Sequence, residues 1–328
     1  MNSRQTNLAL LGLAVAAVVS GFAAFSIGTE MGRWVVVAHG VIGLAMLVLS
    51  PWKSMIARRG LAREKPGRGI SMVLSVTALI TIVSGLTLVS GIADRAGPLT
   101  MTQVHVGAGL ASLVLVAVHY AQRPVKPRVG DLSRRSLIRF AAVLGAGSVA
   151  YLLTEGVWAL TGAPGSRRRF TGSHEISDVS LIPATQWLND RVQHLDASTH
   201  VVMVAGTGYR VEEISTFGDS VTATLDCTGG WYSTQEWSGA RLDRLLGRVS
   251  AESIVVRSVT GYWRRFPRSH GSGLLLATHL AGAPLPDGNG GPVRLVAPGR
   301  RGFWWVKWVG AVNTDDLPPW WQLPLPLA

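Results

Sequence analysis

Five apolar runs fill the first half of the 328-residue chain, at about 7–28, 34–51, 70–92, 103–120 and 138–160. Each approaches or reaches the roughly 20 helical residues that cross a hydrocarbon core of about 30 Å, so the pattern predicts five transmembrane helices. The first run continues through Phe22, Ala23, Ala24 and Phe25 and four more follow, which marks it as a retained helix rather than a cleaved leader. Beyond about residue 161 the pattern changes. Short β-rich runs at 201–204, 220–225, 253–259, 293–296 and 304–312 alternate with turn signals at 206–208, 229–230 and 287–291. Helix is expected there only near 184–188, 240–246 and 271–280. The predicted fold is an all-α membrane bundle of five helices over 1–161, a basic Gly/Pro linker at 162–169, and an α+β domain over 170–328.

Composition agrees with two dissimilar halves: mean hydropathy is +0.29 and only 15% of residues are charged, too apolar for one ordinary soluble domain. The net charge of +12 resembles a nucleic-acid footprint until the positions are read. Lys53, Arg58, Arg59, Arg63, Lys65 and Arg68 fill one inter-helix loop, and Arg123, Lys126, Arg128, Arg134, Arg135 and Arg139 fill another. Basic loops beside apolar spans mark a cytoplasmic side, not a nucleic-acid partner. With both loops inside, the fifth helix delivers the second half to the outer face of a bacterial-type inner membrane.

Ionisable residues within spans carry a functional hypothesis by default. Here they include His39, His105 and His119. His105 and His119 lie 14 residues apart on one helix, about 21 Å along its axis and about 40° short of four full turns, so they share a face. His39 and His105 enter their helices at matching depth, which suits axial ligation of one b-type haem; interhelical hydrogen bonding is the alternative. His119 has no partner histidine at its depth in the second or third span, and is either interfacial or a further candidate for a quinone or second metal site. The half loosely resembles a cytochrome b561-type bundle.

In the second half the only cysteine, Cys227, sits in the turn Cys227-Thr228-Gly229-Gly230-Trp231, and a lone thiol makes no internal disulfide. It is a candidate nucleophile or soft metal ligand, with a buried core cysteine as the bland alternative. Further on, Arg294, Arg300, Arg301 and Lys307 lie among Gly291, Gly299 and Gly302. Glycines beside basic residues suit phosphate, and thiolate suits a soft or high-valent metal, so a metal carried on a phosphorylated organic cofactor would use both.

The ordered motifs Cys227-x3-Trp231-x5-Trp237-x-Gly239-x2-Leu242, then 282–286 (Gly-Ala-Pro-Leu-Pro), 291–299 (Gly-Pro-Val-Arg-Leu-Val-Ala-Pro-Gly) and 306–309 (Val-Lys-Trp-Val) resemble the molybdopterin-binding domain of the sulfite oxidase superfamily over about 170–315. The resemblance implies that Cys227 binds molybdenum, that Arg294, Lys307 and the 299–302 loop with Arg300 and Arg301 hold the pterin and its phosphate, and that Thr171, Gly172, Ser173 and His174 also touch the cofactor. Sulfite-oxidising members carry arginines where this chain has Gly172 and Tyr232, and a tyrosine where it has Thr278. A desolvated dianion needs cationic partners, so sulfite is a poor substrate here. The cysteine turn is more similar to the periplasmic methionine-sulfoxide reductase branch, which implies oxygen-atom transfer on a small-molecule or protein S-oxide with electrons from a quinone or other membrane donor. His174, His270, Tyr232 and Tyr262 are candidate proton relays.

The stretch Ser133-Arg134-Arg135-Ser136-Leu137-Ile138-Arg139-Phe140 before the fifth apolar run resembles a twin-arginine export signal, a route for folded cofactor proteins. Two rival readings stay open at this level: a molybdenum dehydrogenase whose membrane half is an anchor only, and a cofactor-free surface interaction domain.

Overall fold

The computed structural model describes residues 2–61, 68–122, 124–184, 191–247 and 250–323. They form two compact units, Met1–His174 and Glu175–Ala328. The cut falls at 174/175, where composition places it at 169/170.

The first unit is built from α1 (Ser3–Ser26), α2 (Gly32–Leu61), α3 (Arg68–Ser90), α4 (Met101–Gln122) and α5 (Arg134–Thr161). All five are long and apolar enough to cross a membrane, by length and composition. Arg63, Lys65 and Arg123 of the two basic loops lie outside the described residues. The main packing pairs are α1 with α2, α3 with α4 and α2 with α5; lighter contacts join α1 to α4 and α2 to α3. Small residues let the backbones approach. A Cβ on Gly147 of α5 would sit 2.8 Å from the carbonyl oxygen of Val41 on α2. Between α3 and α4, β1 (Arg95–Ala96) and β2 (Leu99–Thr100) form a two-stranded hairpin. Arg134 and Arg135 stand in the first turn of α5 with no acidic residue there, a placement that opposes the helix dipole. Past α5, a 3₁₀ turn (Pro164–Arg167) lies against the end of α3: a Cβ on Gly165 would meet the Val89 carbonyl oxygen at 2.4 Å.

In chain order the later elements are β3 (His174–Glu175), β4 (Val201–Val204), β5 (Thr207–Arg210), α6 (Val211–Thr216), β6 (Asp219–Asp226), β7 (Trp231–Arg241), α7 (Leu242–Leu246), β8 (Ser253–Ser258), β9 (Trp263–Pro267), β10 (Leu275–Leu280), β11 (Ala283–Pro284), β12 (Arg294–Val296) and β13 (Val309–Asp315). One sheet centres on β7, which pairs antiparallel with β6 and β10; β10 carries β11 and β12 on its other edge. The other runs β5-β4-β13-β8-β9, parallel only between β4 and β13. A core containing Trp237, Leu242, Leu276, Phe266, Trp305 and Val306 is drawn from both sheets.

The helix expected at 271–280 is β10, preceded by a 3₁₀ turn (Arg268–Gly273). Leu275–Leu280 is buried at five of six positions and flanked by strands on both edges, so it reads as a continuous apolar run without alternation. Of the helix expected near 240–246, α7 keeps Leu242–Leu246. That near 184–188 lies largely outside the described residues.

Candidate molybdenum and haem sites

The Cys227 turn is a tight connection between two long paired strands. β6 and β7 are in register from Asp219↔Gly239 to Asp226↔Tyr232, which leaves Cys227 to Gly230 as the reversal. The Cys227 N–H donates to the Trp231 carbonyl (2.8 Å), Gly230 N–H to the Cys227 carbonyl (3.2 Å), and Gly229 N–H to Cys227 Sγ (3.3 Å). Gly230 has φ +92°, a left-handed conformation that glycine adopts without a Cβ penalty. The remaining motif positions are packing residues. Trp237 and Leu242 are fully enclosed, and a Cβ on Gly239 would lie 2.0 Å from the Leu276 carbonyl oxygen.

Cys227 is 9% exposed. Two buried guanidinium groups stand near it. Arg294, on β12, lies against the contacting indoles of Trp237 (5.6 Å) and Trp305 (5.7 Å), and its Nη1 donates to the Asn289 carbonyl at 2.7 Å. Burial pulls it down to about 10 from the usual arginine range, while the charge of a Cys227 thiolate acts in the opposite direction. Its Nε has no hydrogen-bond partner among the described residues. Arg301 Nη1 donates to Asp226 Oδ1 at 2.5 Å and Nη2 to the Cys227 carbonyl at 3.4 Å; its Nε is likewise unpartnered among the described residues. Gly302 fits against the turn, since a Cβ there would lie 3.0 Å from Cys227 Cα.

Of the other sequence-derived residues, Lys307 is anchored on the carbonyl next to the one that Arg294 uses. Lys307 Nζ donates to the Gly288 carbonyl (2.7 Å) and lies over the Trp308 ring. Arg300 stacks on Trp304 at 5.0 Å and lines a groove of about 510 Å³ with His270, Arg241, Ser220 and Pro298; Cys227 is not among its lining residues. Burial and then the neighbouring Arg300 charge pull His270 below its ordinary value. Tyr262 is engaged already: its hydroxyl donates to the Phe303 carbonyl (2.5 Å) and accepts from Arg264 Nε (2.7 Å), and burial pushes the phenol up. Tyr232 is in β7 opposite Asp226. Thr278 is buried on β10, its hydroxyl 2.9 Å from Ser215 Oγ and 2.9 Å from His279 Nδ1.

Thr171, Gly172, Ser173 and His174 close the first unit. Gly172 has φ +86°, Ser173 is buried and accepts the Arg169 N–H through its carbonyl, and His174 Nε2 lies 2.9 Å from the Leu88 carbonyl oxygen.

Within the helices, His39 of α2 and His105 of α4 meet edge to face, with ring centroids 6.0 Å apart and planes at 87°. Each packs over a glycine of a neighbouring helix. A Cβ on Gly21 would lie 2.9 Å from His39 Cε1, and one on Gly85 would lie 2.8 Å from His105 Cε1. His105 Nδ1 lies 2.8 Å from the Thr81 carbonyl oxygen and therefore donates, which leaves the lone pair on Nε2. Ser20 Oγ lies 2.7 Å from the Ala16 carbonyl oxygen, 3.2 Å from that of Ala17 and 3.1 Å from His39 Nδ1. His119 Nδ1 pairs with Ser71 Oγ at 3.2 Å. No group of three or more His, Cys, Asp or Glu side chains able to hold a metal occurs among the described residues.

Two features escape a reading of sequence alone. Asp226 has a weak signal, an acid between an apolar strand and the thiol. Glu155, ion-paired with Arg168 and hydrogen-bonded to Tyr151, has a stronger one as the single carboxylate in the five helices.

The donor set at the turn fits an anionic, thiolate-ligated group, with one soft ligand enclosed beside buried cations that keep unused N–H groups. In the helices the neighbouring imidazoles of His39 and His105 are of the donor type that takes a transition metal.

Residues 189–319 match the family described as oxidoreductase molybdopterin binding domain. The chain is 27% identical over 166 residues to the mitochondrial sulfite oxidase of Macaca fascicularis, covering 38% of this chain and 30% of that protein. It is 32% identical over 104 residues to the catalytic subunit of a protein-methionine-sulfoxide reductase of Xanthomonas campestris, covering 25% of this chain and 32% of that protein. Among solved structures, the sulfane dehydrogenase SoxCD of Paracoccus pantotrophus gives a TM-score of 0.36 at 23% identity, over 38% of this chain and 40% of that one. The chain thus spans about a third of the length of the curated relatives it matches. Its second unit carries a molybdopterin-binding domain of oxidoreductase type.

Proposed function

We propose that this is a multi-pass membrane oxidoreductase that holds a molybdenum–molybdopterin group through Cys227 and one haem b between His39 and His105, and that it moves an oxygen atom on an S-oxide-like substrate. One observation carries the reading: the chain's single thiol is enclosed beside Arg294, a desolvated cation with an N–H still to give.

When bound, the group supplies a two-electron centre able to take up or give up one oxygen atom. For reduction of an S-oxide the balance is one S-oxide, two electrons and two protons to one sulfide and one water, with a quinol-class membrane donor supplying the electrons. The residues of the chain bind and orient. Cys227 anchors the metal by its thiolate, the ligand type that soft or high-valent ions select. Arg294 offers fixed charge without reorganisation, because Trp237, Trp305 and the Asn289 carbonyl hold its guanidinium in place. Arg300 and Lys307 are assigned to the phosphate end. Tyr232, which stands where the sulfite-oxidising members that the cysteine turn resembles carry an arginine, favours a neutral S-oxide over a dianion. In the helices, His39 and His105 would hold the haem, and their contacts with Ser20 and the Thr81 carbonyl would orient the two rings. The same reading orients both basic loops to the cytoplasm and the second unit to the outer face.

The test is the whole chain purified from cells supplied with molybdate. Molybdenum and pterin near one per chain are expected, with the visible absorption of a reduced b-type haem, followed by oxidation of a reduced dye by S-oxides. Protein free of molybdenum and pterin would end the reading. Molybdenum without haem would leave the helices as an anchor.

A further inference from the structure

We propose that Asp226 and Arg301 form a positioning pair for Cys227, so that Arg301 serves the cysteine turn rather than a cofactor phosphate; this deepens the reading of Cys227 as the metal ligand and rests on it. β6 ends at Asp226, and residue 226 makes an isolated parallel bridge with residue 301, outside both main sheets. The side chains repeat the connection, since Arg301 Nη1 donates to Asp226 Oδ1 at 2.5 Å and the two side chains are only 6% and 4% exposed. The second terminal nitrogen of the same guanidinium reaches the Cys227 carbonyl at 3.4 Å. From the next position, Gly302 packs closely on the turn, where a Cβ would lie 3.0 Å from Cys227 Cα. One planar fork thus sets the direction of the carboxylate before the thiol and of the carbonyl that belongs to it.

Energetics separate positioning from plain stabilisation. Enclosing two charges carries a desolvation cost, and well-packed apolar residues of similar volume often stabilise as well or better. What an apolar pair lacks is direction, and a guanidinium supplies it through fixed, paired N–H vectors. A phosphate ligand needs its terminal N–H groups aimed at the phosphate, and both terminal nitrogens of Arg301 point at the turn. Arg300 and Arg294 differ: the first stacks on Trp304 beside the groove, and the second uses one terminal nitrogen on Asn289.

The experiment compares the full chain with Asp226→Asn, Arg301→Lys and the neutral pair Asp226→Asn/Arg301→Gln, all expressed with molybdate. Pterin content, molybdenum content, the electron paramagnetic resonance spectrum of the partly reduced protein, and kcat and KM for a dye-coupled S-oxide assay are measured. Asp226→Asn and Arg301→Lys should keep pterin within about twofold of wild type while metal retention or kcat falls about ten- to a hundredfold, the range found for groups that orient metal ligands. KM should hold and the resonance spectrum change in the same way for both. The double variant, able to rebuild a neutral hydrogen bond, should recover part of the wild-type spectrum. If Arg301→Lys behaves as wild type, the guanidinium fork positions nothing and the proposal falls; if Arg301→Lys loses pterin while Asp226→Asn is silent, Arg301 is a cofactor ligand and the proposal falls as well. Should Arg301→Lys fail to fold, the isosteric Asp226→Asn decides alone. A wild-type chain without molybdenum would instead overturn the parent reading, before any variant is compared.

Discussion

The two units solve burial in opposite senses. In the second, bulky side chains are inside: Trp237, Leu276 and Phe266 have no accessible surface. In the first, side chains of the same character face outward, as with Leu160 at 90% and Leu152 at 67% exposure, while its enclosed cluster holds Ala9, Leu13, Ala45 and Leu49. Water rewards burial of apolar area and lipid does not, so helices in lipid pack through small residues and a few polar contacts. A polar side chain therefore means something different in each unit. Among apolar helices His39 and His105 stand out at once. In the β-rich core Cys227 resembles any small buried residue, and only the charged neighbours that folding brings, Arg294 and Arg301, distinguish it.

That contrast is broken or sharpened most strongly by removing one centre at a time. Cys227→Ser should lose molybdenum by about a hundredfold or more, since even groups behind the ligands carry ten- to a hundredfold. Haem absorbance and the helical circular dichroism should stay at wild-type levels. His39→Ala should do the converse, abolishing the haem spectrum while molybdenum and pterin remain near one per chain. Metal analysis and reduced-minus-oxidised spectra on the same samples check both. Loss of both centres in either variant would show that the units load their cofactors together, against the independence that two separate cores imply.

A smaller effect tests the packing side. Gly239→Ala places a methyl group 2.0 Å from the Leu276 carbonyl, so β7 and β10 must part or shift. The expected cost is at or above the upper end of the ~1–3 kcal/mol typical of overpacking, read as a fall in the melting temperature of the second unit by calorimetry. Gly43→Ala in α2, where nothing lies within 4 Å of the added methyl group, should be silent. Equal effects at the two glycines would contradict the contrast between a close-packed core and a helix face with room to spare.

Much of this is legible before folding. The five apolar runs correspond to five helices, because a span long enough for lipid is a single-segment property that needs no partner. His39 and His105 are pairable from depth alone, although their 6.0 Å approach depends on Gly21 and Gly85 from other helices. The second unit is harder. β7, its longest strand, escapes recognition because Trp231–Arg241 mixes aromatic, hydroxyl and charged residues, and its alternation emerges only against β6 and β10. β10 passes for helix because burial on both faces erases the period of two. In the same way the basic cluster reads as one patch along the chain, and folding gives each member its own partner: Arg301 meets Asp226, Arg294 and Lys307 meet the adjacent carbonyls of Asn289 and Gly288, and Arg300 lines a groove. Residue types are local information, and tertiary pairing decides what each charge serves.

The smallest prediction concerns a charge at the edge of the helical unit. Asp131, in the turn before α5, accepts from Arg4 through both carboxylate oxygens (3.0 and 2.7 Å) and from the Arg128 N–H (2.8 Å). The hydrogen bond from Arg4, then that from Arg128, holds the carboxyl at about 2, below its usual value near 3.8. A carboxylate lowered on folding stabilises the native state above the unfolded value, and that contribution is lost as pH falls from near 3.8 through about 2. In detergent-solubilised protein, wild type should therefore melt slightly above Asp131→Asn at pH 6, and the gap should close between about pH 4 and about pH 2. Because both partners are solvent-accessible, added salt should shrink the gap at pH 6 as well. A difference that persists unchanged below about pH 2 would mean that the Asp131→Asn substitution disturbs the α4–α5 turn by shape, leaving the charge without effect.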